Sequence, residues 1–361
     1  KTHSIIDRII HLASGENPNA ADWLPRLVVV TYTKSAAEEM RRRARNRIIT
    51  AGAQGAALAH FNRAFFGTIH SFCMMLLERH GHHLGLPSGL ALAEDTAELW
   101  QQFLRSGEWR IQSLSGDAID ALFRMVPMLD VLRLGRTAPD LPCAKPGKFP
   151  VVDAGEILSF KANGNGKRNA LRGQDLVRRW LRALDDGDPF TPLPECPGGG
   201  AEFERAWAAA FRPLREWLGA ASWTVAREVA SAFRAFRLSR GQMTYDDQVA
   251  LAAELMRHPR AGDAIRAEGY RVILDEAQDT DREQFVVLTE VAREPGATGI
   301  WMDGSAGGPA PGRFAMVGDP QQSIYGSRAS LASYAALRKR LLEEGGLEVS
   351  LDVTFRFKSK T

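Results

Sequence analysis

Cysteine is scarce in this chain and forms no pattern. The three present among 361 residues, Cys73, Cys143 and Cys196, are odd in number and far apart. That spacing excludes a disulfide framework and a CxxC zinc site, and it suits reduced thiols. No run of about 18 apolar residues occurs, so no membrane span is expected, and no basic, apolar, small-residue leader marks the chain for secretion. Charge of one sign is also in short supply. The 46 Lys and Arg against 43 Asp and Glu leave a net +3, too little to imply a nucleic-acid partner by itself. What remains, 45% hydrophobic and 25% charged residues, is the ordinary balance of a globular protein with one large or two ordinary domains. A cytoplasmic place, away from membranes, is the expectation.

No internal repeat is present, and the hydrophobic pattern changes along the chain. Residues 4–12 carry apolar positions at helical spacing. RLVVVTYT (Arg26 to Thr33) is a short β-branched run, as a strand buried on both faces requires. KSAAEEMRRRARNRII reads as a helix, and FFGTIHSF passes from strand into the helical CMMLLERHG. Strands alternating with helices predict a parallel α/β sheet. Between about Pro87 and Arg237 the pattern becomes helical and rich in Trp and Leu, broken by Gly- and Pro-bearing stretches such as KANGNGKRN. The α/β pattern then returns in YRVILDEAQD and RFAMVGDPQQ, and LEVSLDVTFRF reads as one more strand. The division expected is therefore 1–86, a helical insertion at 87–237, and 238–361. Asp303 to Gly312 reads as a surface loop, and the insertion's tryptophans as core.

Two strand ends carry the chemistry. In RVILDEAQDT an apolar strand delivers adjacent carboxylates, Asp275 and Glu276, to its C-terminal end, the edge at which open parallel sheets bind ligands. Phosphoryl transfer needs one carboxylate for Mg²⁺ and a second group to orient or deprotonate water. Read alone, the same residues fit a strand entering a helix capped by Asp279 or Asp281. In AMVGDPQQSIYGSR a second strand ends in Gly-Asp, followed by two amides, Gln321 and Gln322, and by Tyr325. Neutral amides can hydrogen-bond a terminal phosphate oxygen, and an aromatic ring can stack on an unpaired base. The basic run Arg41 to Arg47 lies on a helix and reads as a solvated face rather than a binding patch.

DEAQDT and GDPQQSIYGSR resemble motifs II and III of superfamily-one DNA helicases of the UvrD/Rep/RecB kind. VVVTYTKSAAEEMRRR resembles motif Ia, GTIHSFC the next DNA-contacting motif, MTYDDQ the segment leading back from the insertion, and LDVTFRF motif IV. The TIHSF and TYDD forms lean toward the RecB/AddA branch. Lys1-Thr2 stands where a Walker A motif would end. The resemblance runs nearly end to end, with no match found in the insertion.

The resemblance implies a RecA-like P-loop NTPase sheet flanked by helices, with a mostly helical inserted subdomain. Its cofactors are ATP and Mg²⁺. Lys1 contacts the β- and γ-phosphates, and the Thr2 hydroxyl and Asp275 ligate Mg²⁺. Glu276 activates water, Gln321 senses the γ-phosphate with Gln278 supporting it, Asp319 joins the nucleotide-binding set, and Arg356 is the arginine finger. Thr33, Lys34, Thr68, His70 and Phe72 line a single-strand track with Tyr325 as stacking platform, and Asp246 or Asp247 lies nearby. The partners implied are single-stranded DNA and single-/double-strand junctions, with a nuclease or second helicase subunit, and the polarity implied is 3′-to-5′ in DNA repair or recombination. A non-catalytic DNA-binding scaffold with a degenerate motor fold is the alternative. Ser327 replaces a second motif III aromatic, and the glycine-rich part of Walker A is absent. Both ends read as cut inside chemistry, so the chain as it stands is expected to hydrolyse little ATP.

Overall fold

Continuous β-branched and apolar runs form the centre of the chain's sheet. In a computed structural model, which describes residues 2–13, 20–50, 55–137, 145–161, 163–322 and 331–350, the chain divides into two compact units. One comprises Lys1–Glu94 with Gly241–Thr361, and the other is Asp95–Arg240.

The first unit begins with α1 (Thr2–Ala13), α2 (Ala20–Trp23), β1 (Leu27–Thr31), α3 (Lys34–Thr50) and α4 (Gly55–Asn62). Then come β2 (Phe65–Thr68), α5 (Ile69–His80) and β3 (Ala91–Leu92). The second unit holds α6 (Ala97–Ser106), α7 (Gly116–Met125), α8 (Met128–Thr137), α9 (Gly155–Ser159), α10 (Lys167–Asp185) and α11 (Ala201–Leu238). The first unit resumes with β4 (Gln242–Met243), α12 (Tyr245–Arg257), α13 (Pro259–Ala267) and β5 (Arg271–Leu274). It continues with α14 (Arg282–Glu290), β6 (Phe314–Met316) and α15 (Leu331–Glu343).

Four strands pair in the order β2-β1-β5-β6, and every pairing is parallel. All five residues of β1 are buried, because the strand is central and covered on both faces. Leu27, Val29 and Ile273 share a cluster with Ile5, Ile6 and Ile9 of α1, Met40, Ala44 and Ile48 of α3, and Phe61 of α4. By the two-residue period of a strand, Val28, Val30, Val272 and Leu274 face the other side, where α5, α12 and α14 pack together. Four parallel strands present all their C-terminal ends at one edge, and that edge is the one that matters below. β3 pairs with β4 as a separate parallel pair, which ties residues 91–92 to the α/β unit rather than to the insertion.

Beneath the loop after α14 lies a buried charge network. Glu290 and Arg293 are fully buried and Arg266 nearly so. Glu290 accepts from both guanidinium groups and from the Trp301 N–H at 2.7 Å. Arg293 also donates to the carbonyls of Thr298, Gly299, Ala306 and Gly307. The stretch read as a surface loop is thus pinned from below, since a buried guanidinium needs its donors satisfied.

The second unit is a helical body with an aromatic core. Trp100, Trp180, Trp207 and Trp217 are all buried among Phe103, Phe203, Phe211 and Phe233, as expected for core residues. Its axis is α11, 38 residues long with Pro213 inside it. Pro213 is exposed while Phe211 and Leu214 beside it are fully buried. A continuous apolar stripe on both sides offsets the lost backbone bond.

Residues 347–350 carry no regular structure, and Leu347 and Val349 are exposed. The rest of the strand expected there lies outside the described residues. Among the described residues no helix is long and apolar enough to cross a membrane.

Candidate functional site

At the end of β5 the chain makes an unusual turn. Asp275 is buried, and its N–H donates to the Val30 carbonyl at 2.9 Å, which sets the residue beside the end of β1. One carboxylate oxygen accepts the Glu276 N–H at 3.1 Å. Glu276 then adopts φ +53°, ψ +45°. It is the one non-glycine residue with positive φ among the described residues. A left-handed conformation costs an L residue roughly 1–2 kcal/mol, and strain of this kind concentrates at functional sites.

Gln278 joins the two strand ends. Its side chain is almost fully buried, and its amide nitrogen donates to the Glu276 carboxylate at 2.9 Å and to that of Asp279 at 3.1 Å. Its amide oxygen accepts the Asp319 N–H at 2.9 Å, across from the end of β6. The Asp319 carboxylate in turn accepts the Gln321 N–H at 3.0 Å and the Gln322 side-chain amide at 2.9 Å. A hydrogen-bonded path therefore runs Glu276–Gln278–Asp319–Gln321, ending at the backbone N–H of Gln321, a residue that is exposed. Gly318 makes room for it, because a Cβ there would lie 3.1 Å from the Gln278 oxygen and 3.0 Å from the Tyr334 ring. Asp319, expected in contact with nucleotide, has both oxygens committed to the turn that presents Gln321.

Of the two cap candidates, Asp279 and Asp281, the structure uses Asp281. Asp281 caps α14 in a reciprocal box with Gln284. Burial pushes the Asp281 carboxyl above its ordinary range, against the lowering effect of its backbone hydrogen bonds.

For Mg²⁺ the donor chemistry fits. That ion takes one or two carboxylates and fills its remaining positions with phosphate oxygens and water, and Asp275, with Glu276 adjacent, supplies that number at the sheet edge. Lys1, Tyr325 and Arg356 lie outside the described residues, as does the side chain of Thr2.

Neighbouring strand ends carry the residues expected to line a strand track. The Thr33 hydroxyl accepts the Ala36 N–H at 3.1 Å, capping α3, and Thr33 and Lys34 are exposed. Thr68 caps α5 through the Ser71 N–H at 3.2 Å. His70 meets Tyr245 edge to face, with ring centroids 5.5 Å apart. Phe72 departs from expectation. It is fully buried between Phe65 and Tyr270, with ring centroids at 5.3 and 5.5 Å, so neither of its faces can meet a base and its place is in the core. Two aromatics that sequence reasoning passed over occupy this edge instead, Tyr32 and Tyr245, each 52% exposed. The signal for Tyr32 was its position directly after β1. Asp247 is buried in a capping box with Thr244, which leaves Asp246 as the exposed member of the pair.

A sequence-family model described as the UvrD/REP helicase N-terminal domain matches residues 1–131 and 203–340. The match enters the helical unit from both sides, so only 132–202 of the insertion lacks a counterpart, where none was expected at all. Similar curated proteins are named as one subunit of an ATP-dependent helicase/nuclease. The one from Geobacillus thermodenitrificans is 23% identical over 470 aligned positions, covering all of this chain and 36% of that protein. The Moorella thermoacetica protein is 27% identical over 217 residues, 55% of this chain and 13% of its own length. A Clostridium perfringens protein is 36% identical over 104 residues, 27% of this chain and 8% of its own. The chain thus spans little more than a third, at most, of the length of these relatives.

Proposed function

The chain belongs to the UvrD/REP helicase family, and from that premise we propose that its α/β unit is the ATP-binding motor domain of a DNA helicase. In this reading that domain is Lys1–Glu94 with Gly241–Thr361 and the helical insertion is Asp95–Arg240, so the boundaries expected at 86/87 and 237/238 move to 94/95 and 240/241. The observation that carries the proposal is the path from Glu276 through Gln278 to Asp319 and Gln321. It links the Glu276 carboxylate to the backbone of Gln321, whose side-chain amide senses phosphate in this reading.

Bound at this edge, MgATP supplies the phosphoryl group and a cation that neutralises its charge. Asp275 and Thr2 would hold the metal, Lys1 would bind phosphate oxygens, Glu276 would accept a proton from water, and Gln321 would contact the terminal phosphate. Arg356 completes the phosphate contacts. Gln278 positions Glu276, and a buried amide that bonds both strand ends transmits a shift of one to the other. Thr33, Lys34, Thr68 and His70 grip a single strand by its backbone, while Tyr32, Tyr245 and Tyr325 stack on bases. Such binding tolerates any sequence and weakens with salt.

The relatives' name describes one part of a helicase/nuclease. By that likeness we assign this protein a partner that is a nuclease or second helicase subunit, junctions of single and double strands as substrate, a part in DNA repair or recombination, and a cytoplasmic site of action. Movement is 3′-to-5′ in this reading.

Unwinding by the full-length protein of duplexes carrying a 3′ or a 5′ tail tests it. ATP-dependent unwinding of the 3′-tailed duplex supports the proposal, and Tyr245→Ala should weaken tail binding by roughly tenfold, since one base stack contributes about 1–3 kcal/mol. DNA binding with no ATP-dependent unwinding of either duplex would leave the non-catalytic scaffold as the better reading.

A further inference from the structure

The basic run on α3 splits into two flanks with different fates. Arg42 and Arg43 both donate to Glu39, and Arg47 pairs with Asp7 of α1 at 2.5 Å, so much of the charge is neutralised within the fold. The other flank is not closed in this way. Lys34, Glu38, Arg41 and Arg45 follow one another at four-, three- and four-residue spacings and so share one helix face, with Arg42 at its margin. All five are exposed. Glu38, Arg41, Arg42 and Arg45 line an open groove of about 380 Å³ with Asn62 at the end of α4. Arg41 is held at its wall by donating to the Asn62 carbonyl at 3.2 Å.

We propose that this groove binds the phosphodiester backbone of a nucleic acid where it runs beyond the strand track. Lys34, Arg41 and Arg45 stand against the single carboxylate of Glu38, Arg42 being paired with Glu39; that excess favours a polyanion, and the planar fork of arginine matches phosphate oxygens two at a time. Position chooses the occupant. α3 starts at Thr33 and Lys34, at the sheet edge, and its stripe from Lys34 to Arg45 runs on for about 16 Å at 1.5 Å per residue. A strand gripped at that edge therefore meets the groove by continuing along the same helix. This rests on the DNA reading above. Glu38 sits within the stripe as a brake on affinity, so the site grips without locking.

The test compares two probes on the full-length protein. One is an oligothymidylate of about eight nucleotides, within the span of a single-strand track; the other is a duplex with a single-stranded tail. Arg41→Ala/Arg45→Ala should weaken the tailed duplex by roughly tenfold and lower the salt slope by about two, one for each phosphate no longer neutralised. The same variant should leave the short strand unaffected. Glu38→Gln should tighten the tailed duplex a few-fold, roughly, without touching the arginines. Because this second variant is a gain, misfolding cannot imitate it. An unchanged affinity and salt slope for the tailed duplex in the arginine variant overturns the proposal. Polyglutamate binding that depends on Arg41 and Arg45, with the tailed duplex unaffected, overturns it in favour of an acidic protein partner. If the unaltered protein does not bind the short strand, the DNA reading fails first and the groove proposal falls with it.

Discussion

The α/β unit and the helical unit use the same kinds of residue for opposite ends. In the helical unit Trp100, Trp207, Phe203 and Phe211 turn inward and make a core. In the α/β unit two tyrosines, Tyr32 and Tyr245, stand half out of the surface at the edge where the strands end. Polar groups differ in the same sense. Gln174 of the helical unit is buried and donates to the carbonyls of Ile157 and Phe160, closing a turn. Gln278 of the α/β unit is buried and joins two strand ends that carry acids. A side chain's chemistry becomes function where the topology gathers strand ends, and becomes stability where it does not.

The contrast between the units predicts where damage will fall. The largest effect expected is on stability, from Trp207→Ala. A fully buried tryptophan replaced by alanine should cost about 3–5 kcal/mol in denaturant unfolding; a loss near zero would contradict the assignment of the helical tryptophans to core. Next comes Gln278→Ala, which leaves the Asp319 N–H without its acceptor. It should cost about 1–3 kcal/mol of stability and lower DNA-stimulated hydrolysis well beyond what that loss explains. Equal turnover in the folded variant would show that the two strand ends act separately.

Glu276→Gly should separate function from stability. Glycine adopts positive φ freely, and that relief of about 1–2 kcal/mol offsets the roughly 1–3 kcal/mol cost of leaving a buried Gln278 N–H without its Glu276 acceptor, so thermal stability should change little while hydrolysis is lost. A fall of several kcal/mol would mean that the Glu276 side chain supports the turn by more than this one bond. The smallest effect belongs to the far end of α5. His80, His82, His83 and His258 gather there with ring centroids 4.2 to 6.4 Å apart. Desolvation, then the neighbouring histidines and Arg260, holds His83 below its ordinary value of 6.5. A histidine whose folded pKa is depressed contributes stability that is present above the unfolded value and is lost as pH falls through the folded one. Unfolding followed between about pH 7 and pH 5 should show a slightly shallower loss in His83→Asn than in the unaltered protein; identical profiles would remove the cluster from the account.

Much of the fold was legible because its signals are local. The β-branched run of β1, the apolar run of β5 and the acids directly after it are read from consecutive residues. Other features had a local signal that a motif overrode. Ile69, Phe72, Cys73 and Leu76 fall at helical spacing and are all buried, which marks Phe72 as core despite its place in the motif that opens at Thr68. Thr244 and Asp247 likewise spell a capping box. The Gln278–Asp319 bond was out of reach, since it spans 41 residues and depends on two strands lying side by side. The same holds for Arg293, which sits in a polar stretch of sequence and is fully buried. Pro213, a breaker in sequence terms, is tolerated on an exposed face of α11 because the residues beside it are strongly buried.

The most direct test is ATP hydrolysis by the full-length protein with and without single-stranded DNA, compared with Glu276→Gln. The expected result is a DNA-stimulated rate that the substitution lowers by roughly 10²–10⁴-fold, the range of general-base catalysis, with strand binding intact. A rate indifferent to Glu276→Gln, or strand binding with no hydrolysis in the unaltered protein, would contradict the motor reading.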